Sequence, residues 1–338
     1  MKKLMKAKRS YSLSKKKGIG LFCLAAFLIG LIIVLHENPL ANAQSELTKK
    51  IVICVVLLAA CAAFTLLYDK LTVLPVELYQ NRRLIWKLSK NDFKKRYAGS
   101  YLGALWAMAQ PVVTVVMYWI VFDKVFQTRS QMVASGVDVP YVLYLTAGLV
   151  PWFYFSEALP QGTTALLEYS YLVKKVVFKI SILPIIKIIA ATFIHAFFVG
   201  VLIIVAICYG YMPTVYTLQI VYYSFCLFVL VLGISYSTCA IVVFFRDLQQ
   251  IINIALQIGM WATPILWDLN MLTPFMQVLF KLNPLVYIVN GYRTSIYGQE
   301  WFWADFFSMM YFWIFTVVVF GIGALIFKRL KVHFADIM

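Results

Sequence analysis

Acidic residues are scarce in this chain: 14 Asp and Glu stand against 30 Lys and Arg in 338 residues, and charged residues together make up only 13%. Charge of either sign is absent from the stretches 19–35, 51–68, 97–122, 139–156, 188–245, 248–267 and 306–327. Catalytic signatures are missing too. No Walker A, HExxH or GxSxG pattern occurs, which removes P-loop ATPases, zincins and α/β-hydrolases. The six cysteines (Cys23, Cys54, Cys61, Cys208, Cys226, Cys239) all fall inside charge-free stretches and make no CxxC spacing, so each reads as a small packing group rather than a metal ligand or half a disulfide framework. Within the apolar stretches His195 is the one strongly polar titratable group, and a lone histidine there suits a helix–helix hydrogen bond. Such a chain has little means of coupling to protons or sodium by itself, so any transport draws its energy from elsewhere.

What is present is apolar: 63% of the residues are hydrophobic, well above the share of a soluble domain. A helix rises about 1.5 Å per residue against a hydrocarbon core of about 30 Å, so stretches of roughly 20 residues span it. The run from Ile188 to Phe245 holds two passes, with the turn at Gly210 and Pro213. The stretches lack period-2 alternation, which favours helices over a barrel. The expected fold is an all-α polytopic membrane protein of about eight spans.

The basic residues mark one side of the membrane rather than a nucleic-acid surface. Lys2, Lys3, Lys6, Lys8, Arg9, Lys15, Lys16 and Lys17 precede the first span and hold the N-terminus in the cytoplasm by the positive-inside rule. Basic loops at 69–96 and 168–187, the Arg246-Asp247 break and the tail with Lys328, Arg329 and Lys331 then fall on the same side. Lys49 and Lys50 run against the rule. Ala41-Asn42-Ala43 after the first apolar block admits a second reading, a cleaved signal peptide, which leaves the later topology unchanged.

Four segments carry meaning beyond topology. Residues 77–97 are too basic to span and place Leu78, Ile85, Trp86, Leu88 and Phe93 on one half of a helical wheel, opposite Arg83, Lys87, Lys90 and Lys94. That suits a helix lying in the cytoplasmic interface, although Arg82, Lys95 and Arg96 break the pattern, and an ordinary basic loop would satisfy the charge rule as well. Gly99, Gly103 and Ala107 put small residues on one helix face, and Pro111 should kink that helix. Residues 168–184 are too apolar for a free loop and too charged for a span, which fits either a short helix across the cytoplasmic face or a plain amphipathic connection. Residues 268–301 hold only Asp268, Lys281, Arg293 and Glu300 and are broken by Pro274, Pro284, Gly291 and Gly298, the pattern of a re-entrant segment capping a pathway.

The succession DFKKRYAGSYLGALWAMAQP, YLVKKVVFKISILP, FFRDLQQIINIALQIGMWATPILW and NPLVYIVNGYR resembles, in order, the membrane subunit of ABC polysaccharide exporters, the teichoic acid and O-antigen permeases. The resemblance runs from about residue 77 onward. The basic tail at 1–18 and the transmembrane hairpin at 19–70 depart from it, and what it implies is an interface helix at 71–98 and a six-span core at 99–330, followed by a tail at 331–338. Within the core it implies a coupling helix at 168–182 and an outer re-entrant segment at 268–301. It also implies a bacterial plasma-membrane homodimer, both termini cytoplasmic, on two copies of a separate subunit that binds ATP and Mg. The cargo would be a lipid-linked glycan, with no cofactor on this chain and no nucleic-acid partner. By analogy Trp106, Tyr118, Trp119, Trp261 and Trp267 are candidates for the conduit, and Glu168, Leu172, Lys174, Lys175, Arg246 and Asp247 for contact with the ATPase. Trp86, Lys87, Lys90 and Lys94 would belong to the interface helix, and Asn283, Pro284, Tyr287 and Tyr292 to an outer gate.

Two rivals remain at this stage. A permease of the same class for a drug or small lipid would share the fold; a membrane-embedded glycosyl- or acyltransferase would have only isolated groups such as Glu157, Glu168, His195 and Asp247 to work with. The charge alternation makes a direct prediction. In a background stripped of native cysteines, single cysteines at 126–137 and 270–300 should label from outside intact cells, and those at 82–96 and 168–180 should be protected. External labelling at position 90 would reverse the orientation.

Overall fold

The computed structural model describes residues 15–35, 43–96, 103, 105–126, 131–132, 138–173 and 179–337. The basic residues before Lys15, Ala41 and Asn42, Gly99, and Lys174 and Lys175 lie outside them. Contacts divide the chain into two compact units, Met1–Gln80 and Asn81–Met338. In the first, α1 (Lys15–Leu35) packs against α2 (Ala43–Leu71), and α3 (Val73–Gln80) follows. Phe22 stacks on Phe64 with ring centroids 4.0 Å apart. Gly18 lets α1 approach Tyr68, because a Cβ there would stand 2.2 Å from the hydroxyl.

The second unit begins with α4 (Arg82–Arg96) and α5 (Leu105–Trp119), which runs on into a π turn, Ile120–Val125. It continues through α6 (Tyr141–Glu168), the short α7 (Ser170–Val173), α8 (Leu183–Cys208), α9 (Gln219–Val242) and α10 (Leu248–Ala262). Then come α11 (Pro274–Lys281), α12 (Pro284–Arg293) with a second π turn, Thr294–Gly298, and finally α13 (Phe306–Leu330) and α14 (Phe334–Ile337). The chain is helical as expected. A two-residue antiparallel ladder, Gln131↔Val139 and Met132↔Asp138, precedes α6 without changing the class.

The core is built around α6, which is apolar on all sides and is covered by α8, α9, α10 and α12. Leu143, Leu145, Leu149, Ala158 and Leu166, spread around its circumference, are all buried. α9 lies between α6 and α13 and meets the latter through two glycines. A Cβ on Gly323 would stand 2.5 Å from the Gly233 carbonyl oxygen, and one on Gly233 would stand 3.1 Å from the Phe320 backbone. The turn expected between α8 and α9 is there, with Gly210 at φ +86.

Among the described residues, five segments are long and apolar enough to cross a membrane: Lys50–Tyr68, Tyr141–Glu168, Ile180–Cys208, Val215–Val242 and Phe306–His333. α1, α5 and α10 cover the other charge-free stretches. Two expectations need correction. The stretch 248–267 is not one helix: α10 ends at Ala262 after 15 residues, and 263–268 is non-helical. The helix expected over 77–97 is two, parted at Asn81. The face of α4 that is buried carries Ile85, Ser89 and Asp92, while Trp86 is 51% exposed. The apolar half read as facing the acyl boundary leaves Trp86 exposed, and the side packed on α8 carries an acid because α8 presents Lys187 there.

The glycine contact between α9 and α13 is backbone against backbone, so neither side can yield by changing rotamer. Gly323→Ala should destabilise the folded chain by about 1–3 kcal/mol. Gly200→Ala, where a Cβ meets nothing within 4 Å, is the matched control. Thermal unfolding of both variants in detergent checks this; equal midpoints would refute it.

Candidate functional site

At one end of α6, charged groups from three helices converge, with Asp92 and Lys187 buried and Glu168 exposed. Lys187 of α8 is 6% exposed and reaches Asp92 Oδ1 of α4 at 2.8 Å and Glu168 Oε2 at the end of α6 at 2.6 Å. Tyr169 donates its hydroxyl to the same Asp92 oxygen, and its ring faces the Lys187 ammonium at 5.0 Å. Burial, then the hydrogen bond to Asp92 and its charge, raise the pKa of Tyr169 far above the usual phenol value, so it stays a donor. Arg96 pairs with Glu157 at 3.0 Å and donates to Gln161 at 2.6 Å. It is 3.6 Å from Asp92 Oδ2, which accepts no hydrogen bond of its own, so that contact is Coulombic only. Three carboxylates and two cations thus fasten α4 to α6 and α8.

At the other end of α6 the chain solves a different problem. Past Ala262 the carbonyls of residues 264–267 have lost their helix partners inside the protein. Each is taken by a side chain: Arg293 Nη1 donates to Pro264 O at 2.8 Å and Nη2 to Ile265 O at 2.9 Å. Tyr141 donates to Leu266 O at 2.8 Å and Tyr144 to Trp267 O at 3.0 Å. The Arg293 guanidinium carbon also sits 3.6 Å from the centre of the Tyr144 ring. Asn283 accepts from Leu285 N to cap α12 and donates to Thr263 Oγ1 at 2.9 Å, tying the start of α12 to the same break.

Between the two ends His195 joins three helices. Its Nε2 lies 2.8 Å from the Tyr292 hydroxyl and 3.1 Å from Ser224 Oγ. Tyr292, one of the four outer-gate candidates, is therefore a core residue. Of the others, Asn283 and Pro284 begin α12, and Tyr287 pairs with the Tyr222 hydroxyl at 3.3 Å and stacks on Phe312.

The conduit candidates fall in separate places along the chain. Trp106 borders a cavity of about 440 Å³ together with Arg96, Phe153, Glu157 and His195. Trp119 is 37% exposed with the Lys124 ammonium 5.4 Å from its ring centre, and Tyr118 faces Phe122. Trp261 is 69% exposed, while Trp267 turns inward and donates to the Trp261 carbonyl at 3.1 Å. Of the ATPase-contact candidates, Glu168 belongs to the charged network, Leu172 is half-buried in α7, and Arg246 and Asp247 are exposed in the turn before α10. In α4, Lys87, Lys90 and Lys94 are exposed, Lys90 lies over the Trp86 ring at 5.4 Å, and Trp86 meets Phe193 edge-on.

A family model for ABC-2 type transporters matches residues 83–297, from α4 through the second π turn. The chain belongs to the ABC-2 type transporter family. An ABC-2 permease is a transporter membrane subunit and not itself an enzyme, as expected from the sequence motifs. This permease is similar to the O-antigen export system permease protein RfbA of Myxococcus xanthus, 27% identical over 262 residues that cover 77% of this chain and 97% of that one. It is also similar to the RfbA protein of Klebsiella pneumoniae, 25% identical over 259 residues, 75% of this chain and 95% of that one.

Sequence reasoning passed over Asp92, Lys187, Arg293 and the role of Arg96. His195 is the one strongly polar titratable group of the charge-free stretches, and outside them Asp92, Lys187 and Arg293 are buried as well, at 8%, 6% and 5% exposed. Each had a signal. Asp92 is the one acid in a basic helix, Lys187 the last charge before the longest apolar run, and Arg293 one of two cations in a Pro-broken segment.

Removing one partner of a buried ion network strands the others. Lys187→Met should cost this permease about 3–5 kcal/mol by leaving the buried Asp92 carboxylate without its cation, the exposed Glu168 staying hydrated. Lys87→Met, on the exposed face of α4, should cost under about 1 kcal/mol. Thermal unfolding of the purified permease separates the two, and equal stability would refute the assignment.

Proposed function

We propose that this permease forms, as a homodimer in a bacterial plasma membrane, the pathway through which a lipid-linked polysaccharide of O-antigen or teichoic-acid type leaves the cytoplasm, driven by ATP hydrolysis on a separate subunit. The observation that carries this reading is the similarity to O-antigen export permeases over nearly their whole length, 97% of one and 95% of another. A second copy would close the pathway between the faces of α5 and α10, which leave Trp106, Met117, Ile258 and Trp261 exposed in one protomer. A sliding polymer needs many weak contacts rather than one tight site, and aromatic faces supply them without fixing a register.

The motor contact falls at the charged end of α6. There Glu168, Lys187 and Asp92 link α4 to the stretch that leads into α7, so a push on α7 or on 168–182 is passed to α6 and α8 rather than absorbed by a loose loop. This arrangement has both termini and α4 on the cytoplasmic side, with lysines toward anionic lipid headgroups. The extra helices α1 and α2 are an accessory to the core.

The test uses membrane vesicles holding the full chain together with its ATP-hydrolysing subunit and lipid-linked glycan on the cytoplasmic face. Glycan should cross only with ATP and Mg, and Leu172→Asp should abolish crossing or release the ATPase subunit while membrane insertion is unchanged. Crossing without the ATPase subunit, or ATP-driven movement of a small lipid or drug but no glycan, would overturn the reading.

A further inference from the structure

The chain past α13 is tucked back against the core. It turns through Lys331–His333 into α14, and there Phe334 is fully buried while its neighbours Val332 and His333 are exposed. The Phe334 ring meets Phe327 of α13 edge-on at 5.7 Å and Phe244, in the turn between α9 and α10, at 6.1 Å. A phenylalanine is among the largest apolar groups a chain can bury, so this one side chain fastens the tail to that turn.

The turn has no side-chain cap of its own. Asp247 stands at the N-cap of α10, where an aspartate ordinarily turns its carboxylate back onto the first amides of the helix, yet it makes no such bond. Neither its side chain nor that of Arg246 has a hydrogen-bond or ion-pair partner among the described residues, and both are exposed.

The same anchor reaches the motor contact from the other side. Phe327 packs edge-on against Tyr236 of α9 at 5.4 Å, and the Tyr236 hydroxyl donates to Ser181 O at 2.8 Å. Ser181 lies in the 3₁₀ turn Ile180–Ile182, at the end of the segment 168–182. Phe327, Tyr236 and Ser181 are 3%, 0% and 2% exposed. The turn before α10 and the segment 168–182 therefore lie at one end of the core and are joined through the buried rings of Phe334, Phe327 and Tyr236.

Two exposed, unpaired charges of opposite sign on an anchored turn select a protein partner over a lipid surface. An anionic leaflet would attract Arg246 and repel Asp247, whereas a protein surface can answer both.

We propose that Phe334 is a positioning residue for the ATP-hydrolysing subunit: from the C-terminal tail it sets the turn that presents Arg246 and Asp247 to that partner. The identity of the partner rests on the export reading above; the seating of Phe334 does not.

The test is a binding titration of the ATP-hydrolysing subunit against the full chain in nanodiscs, using Phe334→Ala, the pair Arg246→Ala and Asp247→Ala, and all three together. The charge pair should weaken binding about tenfold, the sum of two exposed ion pairs. Phe334→Ala should weaken it by a similar factor, and the triple variant by no more than about twofold beyond either, because residues that act through one contact are not additive. A general loss of stability would instead multiply with the loss of the charges. Phe334→Leu, which keeps an apolar filler, should restore most of the affinity, and Val332→Ala, at a position 75% exposed, should leave it unchanged. Phe244→Ala removes the same ring contact from the half-exposed side of the turn, so it supplies the cycle even if Phe334→Ala misfolds. Normal binding by the charge pair would place the turn against lipid, and multiplying losses would make Phe334 structural only; either result overturns the inference. A wild-type chain that binds the subunit yet moves no glycan removes the export reading alone, and one that binds no such subunit removes both.

Discussion

A peptide backbone that leaves its helix inside an apolar environment must find other hydrogen-bond partners, because no water is there to supply them. The α10 break meets this constraint carbonyl by carbonyl, and most of the architecture at that end follows from it. The planar guanidinium of Arg293 spans two successive carbonyls with two N–H groups, which a lysine's compact ammonium would do poorly. Room for it comes from Gly148 on α6, where a Cβ would stand 3.2 Å from Arg293 Nη2. Tyr141 and Tyr144, one helical turn apart on α6, take the next two carbonyls. The position of α12, the cap at Asn283 and the inward turn of Trp267 are all set by serving this one interruption.

The opposite end of α6 is organised by charge rather than by backbone. α4 presents too little apolar area to be held firmly by burial alone, and its seat on α8 is specified by Asp92, Ser89 and Ile85. A buried ion network does more to select one arrangement than to deepen it, since its Coulombic gain is largely offset by desolvation. The mix suits an element that must keep a defined register against the core. α6 carries both devices, so its two ends differ in kind: one tolerates no slack in the backbone, and the other is a set of directional contacts between separate helices.

Much of the helical layout was legible in the sequence because charge-free length is a direct physical requirement for crossing lipid. The turn at Gly210 and the Pro-broken segment after Asp268 could be read for the same reason. Family membership was legible from motifs in series. Side-chain partners were not, since a helical wheel ranks residues by polarity, assigns the apolar half of α4 to the lipid boundary and is silent on which residues meet α8. Asp92 is buried because Lys187, far along the chain, is waiting for it. Arg96, which spoiled the wheel, did so because it bonds to Glu157 and Gln161 on α6. The early end of α10 at Ala262 was equally hidden: Thr263 and Pro264 hint at it, but only Arg293 makes it tenable.

The Arg293 clamp also constrains the order in which this protein can be made. Its carbonyl acceptors precede it by 28 and 29 positions, and its ring partner Tyr144 by 149. During synthesis the open carbonyls after Ala262 emerge before the arginine that satisfies them has been translated. Until α12 is complete and docked, that stretch has to wait in a wet or protein-shielded place, and α10 has to wait with it. Closing the break then requires α10, α12 and the α6 tyrosines to come together. A nascent chain truncated between residues 268 and 292 would retain its first spans and leave the carbonyls of Pro264 and Ile265 without the guanidinium that takes them.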